Sequence, residues 1–588
     1  MGKRISIDIG TTCTKVCHWD DGEGAVEDVR IDPGSYVSKV PSVVVKSGVT
    51  NEYWFGNEAL EHMRDGNDDC TVYNAFKIML AEDDGDVLKS YNYDGGDSPK
   101  EIYKEYLRYI VESYLEENAS SGKDYKAIDK IVACTPIIWN EARNRPQKAG
   151  EDYIEVSSID IKPRLFEIFE EFFADKNPDI EIDIIDEPTA ACAYFADRAA
   201  KEKGKPFKGH MLVVDYGGGT LDIALCKVEP LKEKNEDGTF KTSIKPIYTE
   251  GDGYNTTGKA GSAGMAFFQS LLERAIKAKT GEDIAVRDGE YWDAYKTLEN
   301  GIMRMSARIR EKFQAESSVD DCMGIKDPLE KVKVMYKKQQ LDITYGDLAS
   351  CFIDVIRPTF EQKLESIKKT AESCGIDMDD TESFKIALVG GFGNFDLTKK
   401  CIADVFDIFY DGGSFINLSG AKSAKEDDER NYAVARGACL YARELMKIEP
   451  VAKYSIGVKY ENNGVKKPMW AFRIGDSLEL NEKKPVSYEM NGKPTPLYGS
   501  RIEDFAFEFI GGKVVYRNPY EGYKDLFKWD EERVFYTYFS VDRKNRLKVT
   551  IEFLDPKTGK ILKDMTMEKV FDRVNRLLSG DGLPIKAE

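Results

Sequence analysis

The spacing of apolar residues changes character once along this chain. Up to about residue 450, short apolar runs such as residues 212–214 and 386–389 alternate with longer stretches where apolar residues recur every three to four positions. Short apolar runs bounded by glycine or acid predict buried strands, and the longer recurrence predicts amphipathic helices, so this part reads as α/β. One helix start is explicit. Ser98-Pro99-Lys100-Glu101 supplies an N-cap serine, a proline at the first helical position and a glutamate three residues after the cap. The stripe Ile102, Tyr106, Tyr109, Ile110 and Tyr114 that follows is a packing face. Beyond residue 450 a period of two takes over. Phe505, Phe507 and Phe509 alternate with other residues; Phe535, Thr537, Phe539 and Val541 share one face; Leu547, Val549, Ile551 and Phe553 share another after the polar residues 542–546. Two alternating runs joined by a polar turn predict a hairpin, and the tail is expected to be an antiparallel β-rich domain with one solvated face. Within it, only residues 567–578 suggest a helix.

Charge moves this boundary from pattern to number. The chain has 588 residues with 84 Lys/Arg and 104 Asp/Glu, a net charge of −20. Residues 451–588 hold 25 basic and 21 acidic side chains, a net +4, which leaves −24 for the first 450 residues. So acidic a chain is a poor general nucleic-acid binder, because that work needs basic side chains on phosphates. The three histidines, His18, His62 and His210, are scattered, which argues against a multi-histidine metal site. All 11 cysteines fall in the first 450 residues without a CxxC pair, as expected of reduced thiols acting as small apolar residues. The N-terminal residues lack the apolar core of a secretion signal, and no stretch approaches about 18 uninterrupted apolar residues. The expectation is a cytoplasmic protein with neither membrane nor nucleic acid as partner.

The candidate chemistry lies in two glycine turns. Residues 5–12 read I-S-I-D-I-G-T-T, so a strand delivers Asp8 and Gly10 opens a turn carrying Thr11 and Thr12. Residues 212–222 read L-V-V-D-Y-G-G-G-T-L-D, placing Asp215 before Gly217, Gly218, Gly219 and Thr220. Glycines let backbone N–H groups approach an anion closely. A carboxylate beside a phosphate needs a cation between them, and Mg²⁺ suits, since it keeps several waters and takes few direct carboxylates. One such turn alone is an ordinary hairpin turn; a pair, each with an acid two residues before its first glycine, points to a triphosphate held between two loops. Neither is a Walker loop, because no GxxxxGK[ST] occurs.

This pair resembles the two phosphate loops of the actin/hexokinase/heat-shock superfamily, and more closely those of the 70-kDa heat-shock chaperones. Further segments match in order over residues 4 to about 440. Ala75-Phe76-Lys77 resembles the place of the family's catalytic lysine, and residues 135–143 (T-P-I-I-W-N-E-A-R) its V-P-A-Y-F-N-D-A-Q. Residues 185–191 (I-D-E-P-T-A-A) resemble its first connecting segment, Leu388-Val389-Gly390-Gly391 its adenosine motif, and residues 433–438 its second connecting segment. The resemblance implies a two-lobed actin-like ATPase fold with a ribonuclease-H-like duplicated core. Lobe I would be residues 1–205 and lobe II 206–450, followed by a substrate-binding-like β domain at 451–588. It implies ATP/ADP and Mg²⁺ as cofactors, with Asp8 and Asp215 holding the Mg²⁺ shell mostly through water. Gly10, Thr11, Thr12, Gly217, Gly218, Gly219 and Thr220 would bind phosphates. Lys77 would contact the γ-phosphate, Glu187 would orient the attacking water, and Gly390 and Gly391 would lie near ribose and base.

Several features depart from the family. Phe392-Gly393-Asn394-Phe395 stands where it has small polar residues and an arginine, and Asn431 where its second connecting segment opens with an acid. Residues 251–261 diverge from its G-D-T-x-L-G-G-x-x-F-D, residues 151–180 read as an insertion, and the base-facing helix is expected at residues 308–318. The junction at residues 446–454 lacks the family's leucine run, and the long helical lid is missing. The implied function is a lidless, slow ATPase whose β domain binds unfolded or extended protein segments or a specific client, with co-chaperone-like factors. A sugar-type small-molecule kinase and an actin-like filament protein remain as alternatives.

Overall fold

A computed structural model describes residues 3–587 apart from 33–37, 65–69, 83–87, 90, 94–95, 119–122, 138–160, 236–239, 254–262, 285–288, 317, 331, 411, 417–423, 453–454, 463, 487–491, 499–501, 509–513, 518–533, 545 and 572–585. It divides into two compact units. The first comprises Met1–Glu141, Leu165–Ile244 and Tyr248–Ile448; the second comprises Ala142–Arg164, Lys245–Ile247 and Glu449–Glu588.

Two sheets organise the first unit. Strands β1 (Lys3–Ile9), β2 (Cys13–Asp20), β3 (Ala25–Val29), β4 (Ile128–Thr135) and β5 (Glu181–Asp186) form one in the order β3-β2-β1-β4-β5, with Val40–Pro41 added on β2. Strands β6 (Gly209–Tyr216), β7 (Thr220–Lys234), β8 (Phe240–Gly253), β9 (Phe384–Val389) and β10 (Met446–Ile448) form the other, ordered β9-β6-β7-β8-β10. The same pattern occurs twice. The first strand pairs antiparallel with its successor and parallel with a strand far along the chain: β1 with β2 and β4, β6 with β7 and β9.

Short helices carry side chains to the sheet ends, and long ones pack beneath them. The single-turn helix α1 (Phe76–Met79) leans on α2 (Pro99–Asn118) through Phe76, whose ring lies 6.1 Å from Tyr103 and 4.9 Å from Tyr106. The capping box of α2 is present: the Ser98 N–H donates to Glu101 Oε2 at 2.7 Å and the Glu101 N–H to Ser98 Oγ at 3.2 Å. Of its expected stripe, Ile102, Tyr106, Ile110 and Tyr114 are buried.

Helix α3 (Glu187–Lys203) follows β5 directly, with Pro188 in its first turn. It joins one apolar core with Val132 and Ile185 of the first sheet, Val213 and Ala224 of the second, and Ala433 and Ala438 on the helix Ala424–Ala442. That last helix is held against the first sheet by Ser6 Oγ, which donates to the Ala435 carbonyl at 2.7 Å, and by Arg436, whose Nε donates to Asp28 Oδ1 at 2.9 Å. Where it meets α3 the backbones nearly touch. A Cβ at Gly437 would lie 1.7 Å from the Ala190 carbonyl oxygen, so only glycine fits. The two segments matched to the family's connecting segments therefore meet at Ala190 and Gly437.

The second unit is antiparallel throughout its named strands. Strands β11 (Ser455–Asn462), β12 (Val465–Phe472), β13 (Ile502–Glu508), β14 (Val514–Arg517) and β18 (Lys586–Ala587) make one sheet, ordered β12-β11-β13-β14-β18. Strands β15 (Val534–Val541), β16 (Leu547–Phe553) and β17 (Met567–Phe571) run through the other, with Lys484–Pro485 and Leu497–Tyr498 on β15. Ile456, Val458, Tyr460 and Phe472 from the first sheet share a core with Phe535, Phe539, Leu547, Val549, Ile551 and Phe553 from the second, a two-sheet sandwich. The expected hairpin is β15–β16, in register from Phe535↔Phe553 to Val541↔Leu547. Asp542 closes it by accepting from the N–H groups of Lys544 at 3.0 Å and Arg546 at 2.9 Å.

One expectation is corrected here. Residues 567–571 form strand β17 on the open edge of β16, from Ile551↔Met567 to Leu547↔Phe571. Five residues gain more from an available row of ladder partners than from nucleating a helix. Residues 572–578 of the expected helix, Phe509, and residues 138–143, 151–160 and 254–261 of the compared segments lie outside the described residues. The described part of the expected insertion carries helix Lys162–Phe173, with Leu165, Phe166 and Phe169 buried. Among the described residues no helix is long and apolar enough to cross a membrane.

The Gly437 crossing generates a test. Gly437→Ala must force the two helices apart, and denaturant titration is expected to show the first unit destabilised by about 1–3 kcal/mol. An unchanged transition contradicts the close crossing.

Candidate functional site

Both glycine turns have one geometry. In the first, β1 ends beyond Asp8 and the Gly10 N–H donates to the Cys13 carbonyl at 3.2 Å; in the second, β6 ends beyond Asp215 and the Gly217 N–H donates to the Thr220 carbonyl at 2.9 Å. Each is a four-residue turn closing a hairpin, with its acid two residues before the first glycine. They face each other. A Cβ on Gly218 would lie 2.6 Å from Thr12 Oγ1, and one on Gly219 would lie 2.3 Å from Thr11 Oγ1. Helix α4 (Gly264–Thr280) backs the second turn, its Gly264 N–H donating to the Gly217 carbonyl at 3.2 Å and its Met265 N–H to that of Gly218 at 2.6 Å.

Lys77 and Glu187 arrive from opposite directions. Ala75, at φ 63°, turns the chain into α1, which presents Lys77. The step from β5 into α3 presents Glu187. Lys77 Nζ donates to Glu187 Oε1 at 2.6 Å, and both side chains are buried. A second ion pair was not foreseen. Lys15 on β2 stands opposite Asp8 on β1, and its Nζ lies 3.0 Å from Asp8 Oδ2. The hairpin register was the signal, since a turn at residues 10–13 places residue 15 across from residue 8.

The third part comes from β9. Gly390 sits at φ 76°, and a Cβ there would lie 2.3 Å from the Tyr216 carbonyl oxygen and 2.8 Å from Asp215 Oδ1. Only glycine meets both demands. Beyond Gly391, Phe392 packs on Tyr216 at 4.9 Å, Phe267 at 5.0 Å and Phe395 at 5.1 Å, a cluster of rings where the family has small polar residues.

All these parts open onto one cleft enclosing about 1090 Å³ of space, its mouth included. Asp8, Gly10, Thr11, Thr12, Lys77, Glu187, Asp215, Gly217, Gly218, Gly219, Thr220, Gly390 and Gly391 all line it. So do Lys15 and Asn431, the latter at a noted departure, and, toward Gly391, Phe268, Glu299, Asn300 and Met303. The helix that lines the cleft is not the one expected at residues 308–318. Glu299, Asn300 and Met303 lie on α5 (Gly289–Arg304), whereas α6 (Ser306–Gln314), which covers most of the segment proposed from sequence, contributes no lining residue. The three share one helical face, but a face of mixed acid, amide and thioether has no distinctive pattern in sequence. Glu299 is held by Tyr295 and Lys296, at 3.3 and 3.1 Å.

Charge in the cleft is tightly packed. Burial pushes the Asp215 carboxyl well above the usual carboxylate range, reinforced by Glu187, Asp222 and Asp8. Burial also raises Glu187, against the opposing pull of Lys77. Lys15 and Lys77 stay cationic because the carboxylates around them outweigh burial. Among the described residues no group of three or more His, Cys, Asp or Glu could hold a metal directly. The donors instead fit a water-clad hard cation, with carboxylates in its outer shell. The facing glycine turns, whose space a Cβ would fill, fit a phosphate chain.

A sign follows for stability. A carboxyl raised in the folded state binds its proton more tightly there than in the unfolded chain, so its contribution falls as pH rises from about 4. Nucleotide-free Asp215→Asn is therefore expected to melt about 2–4 °C above wild type at pH 7, with the gap closing toward pH 4 in scanning calorimetry. Equal melting at pH 7 contradicts the buried repulsion.

No protein-family model matches the chain. It is similar to a ribosome-associated molecular chaperone of Saccharomyces cerevisiae, 23% identical over 424 residues, which is 68% of this chain and 57% of the relative. The ribosome-associated chaperone of the same name in Eremothecium gossypii is 22% identical over 461 residues, 75% of this chain and 61% of the relative. A third, from Candida glabrata, is 23% identical over 429 residues, 68% and 57%. The chain thus spans less than two thirds of the length of these curated relatives. The chain is thus similar to ribosome-associated molecular chaperones at 22–23% identity, and the motif order of its residues 4–440 resembles that of the 70-kDa heat-shock chaperones.

Proposed function

We propose that this protein is a MgATP-binding, slowly hydrolysing ATPase of the heat-shock-70 type. In this reading residues 1–205 and 206–450 form the two lobes of an actin-like nucleotide domain with a duplicated core, and residues 451–588 bind extended or unfolded protein segments. The single observation that carries it is the meeting of both acid-and-glycine turns, Lys77, Glu187 and Gly390 in one cleft. The repeated strand pattern of the two sheets supports the lobe assignment, and the chaperone names of the relatives support the role. The antiparallel sandwich supports this reading over the kinase and filament readings, since sandwich edges and loops suit extended peptides. Cytoplasmic placement and co-chaperone-like partners belong to the same proposal.

Asp8 and Asp215 would hold the Mg²⁺ shell, and the bound ion would neutralise phosphate charge. The amides of Thr11, Thr12, Gly218 and Gly219 bind phosphate oxygens, with the threonine hydroxyls beside them, while the Gly10 and Gly217 amides close the turns. Lys77 stabilises charge at the terminal phosphate, and Glu187 accepts a hydrogen bond from the attacking water. Because Lys77 already holds Glu187 at 2.6 Å, one ion pair sets the position of both. The base rests between the Gly390–Phe392 segment and the α5 face.

Calorimetry with single-turnover hydrolysis tests this. Wild type is expected to bind MgATP, and Glu187→Gln to retain binding while hydrolysing about 100-fold more slowly. Absence of MgATP binding with Asp8 and Asp215 intact overturns the proposal.

A further inference from the structure

Lys15 has no place in the mechanism carried over from the family motifs, yet among the cleft's basic side chains Lys15, Lys39, Lys77 and Arg430 it is the one bonded to the first turn's acid. Its ammonium lies 3.0 Å from Asp8 Oδ2, and a Cβ on Gly10 would lie 3.6 Å from it, so the charge sits directly over that turn. Asp215 on the second turn is among the charges that keep it protonated. Asp8 is its hydrogen-bond partner among the described residues. An ammonium carries three donors, so two protons remain in a side chain that lines the cleft.

Lys77 is placed differently. It pairs with Glu187, the residue proposed to orient the attacking water, and so belongs to the terminal-phosphate end. Lys15 pairs with the first turn's own acid and belongs to the part of the chain that a diphosphate and a triphosphate share. We propose that Lys15 is a second phosphate-binding cation, bridging Asp8 to a non-terminal phosphate oxygen of nucleoside di- and triphosphates. This rests on the nucleotide reading of the cleft. It gives the two lysines separable signatures: Lys15 distinguishes diphosphate from monophosphate, and Lys77 distinguishes triphosphate from diphosphate. A lysine that only neutralised Asp8 would do neither.

The test is calorimetric titration of the full chain with AMP, ADP and ATP, each with Mg²⁺, for wild type, Lys15→Gln, Lys15→Arg and Lys77→Gln. A hydrogen bond from a charged donor is worth roughly 10- to 100-fold in affinity. Lys15→Gln is expected to lose that factor for ADP and ATP alike while AMP binding is kept, with Lys15→Arg recovering most of it. Lys77→Gln is expected to lose affinity for ATP more than for ADP. Melting curves check that each variant is folded. If a folded Lys15→Gln binds all three nucleotides as wild type does, or weakens all three equally, the inference is overturned while the nucleotide reading stands. If wild type binds none of them, both fall.

Discussion

Contact between the two glycine turns sets the terms for everything around the cleft. With Gly218 against Thr12 and Gly219 against Thr11, neither glycine admits a side chain, and Asp8 and Asp215 are drawn into the same buried space. Like charges so confined must be answered by cations. Lys15 and Lys77 supply two of them, each already bonded to a carboxylate. The long helices answer a second demand. Ala190 and Gly437 let α3 and its partner helix cross almost in backbone contact, and that crossing anchors the helix whose first residue is Glu187.

The same arrangement explains why the cleft is costly to keep. Removing one member of a buried ion pair typically costs roughly 3–5 kcal/mol, because a charge is left without partner or water. Around the cleft Asp8, Glu187, Asp215 and Glu299 stand against Lys15, Lys39, Lys77 and Arg430, so the loss of any one leaves an opposite charge unbalanced. Under the proposed reading, Asp8 and Asp215 recruit a divalent cation through its water shell, and the cation arrives together with the phosphate chain. Binding of such a ligand adds to the stability of the folded state by mass action.

Local features were legible in sequence, and contacts between distant segments were not. The capping box at Ser98–Glu101 and the β15–β16 hairpin rest on residues within one or two turns of each other, where spacing alone decides the outcome. The two acid-and-glycine turns were also legible, because each is a strand end followed by glycine. That Lys77 bonds Glu187, 110 positions away, has no local sign; only the matched motifs put both on one list. Hairpin register alone puts Lys15 opposite Asp8, although the family motifs give it no role. The α5 face was missed since Glu299, Asn300 and Met303 carry no pattern of their own. Strand β17 was missed because the free edge of β16, and not its own five residues, determines its conformation.

The central claim is that the two turns grip one phosphate chain together. Amide hydrogen exchange, followed by mass spectrometry with and without MgADP, tests it most directly. The account predicts that residues 10–12 and 217–219 gain protection together, over the same range of nucleotide concentration. Protection of one turn alone, or of neither while nucleotide is bound, would contradict it.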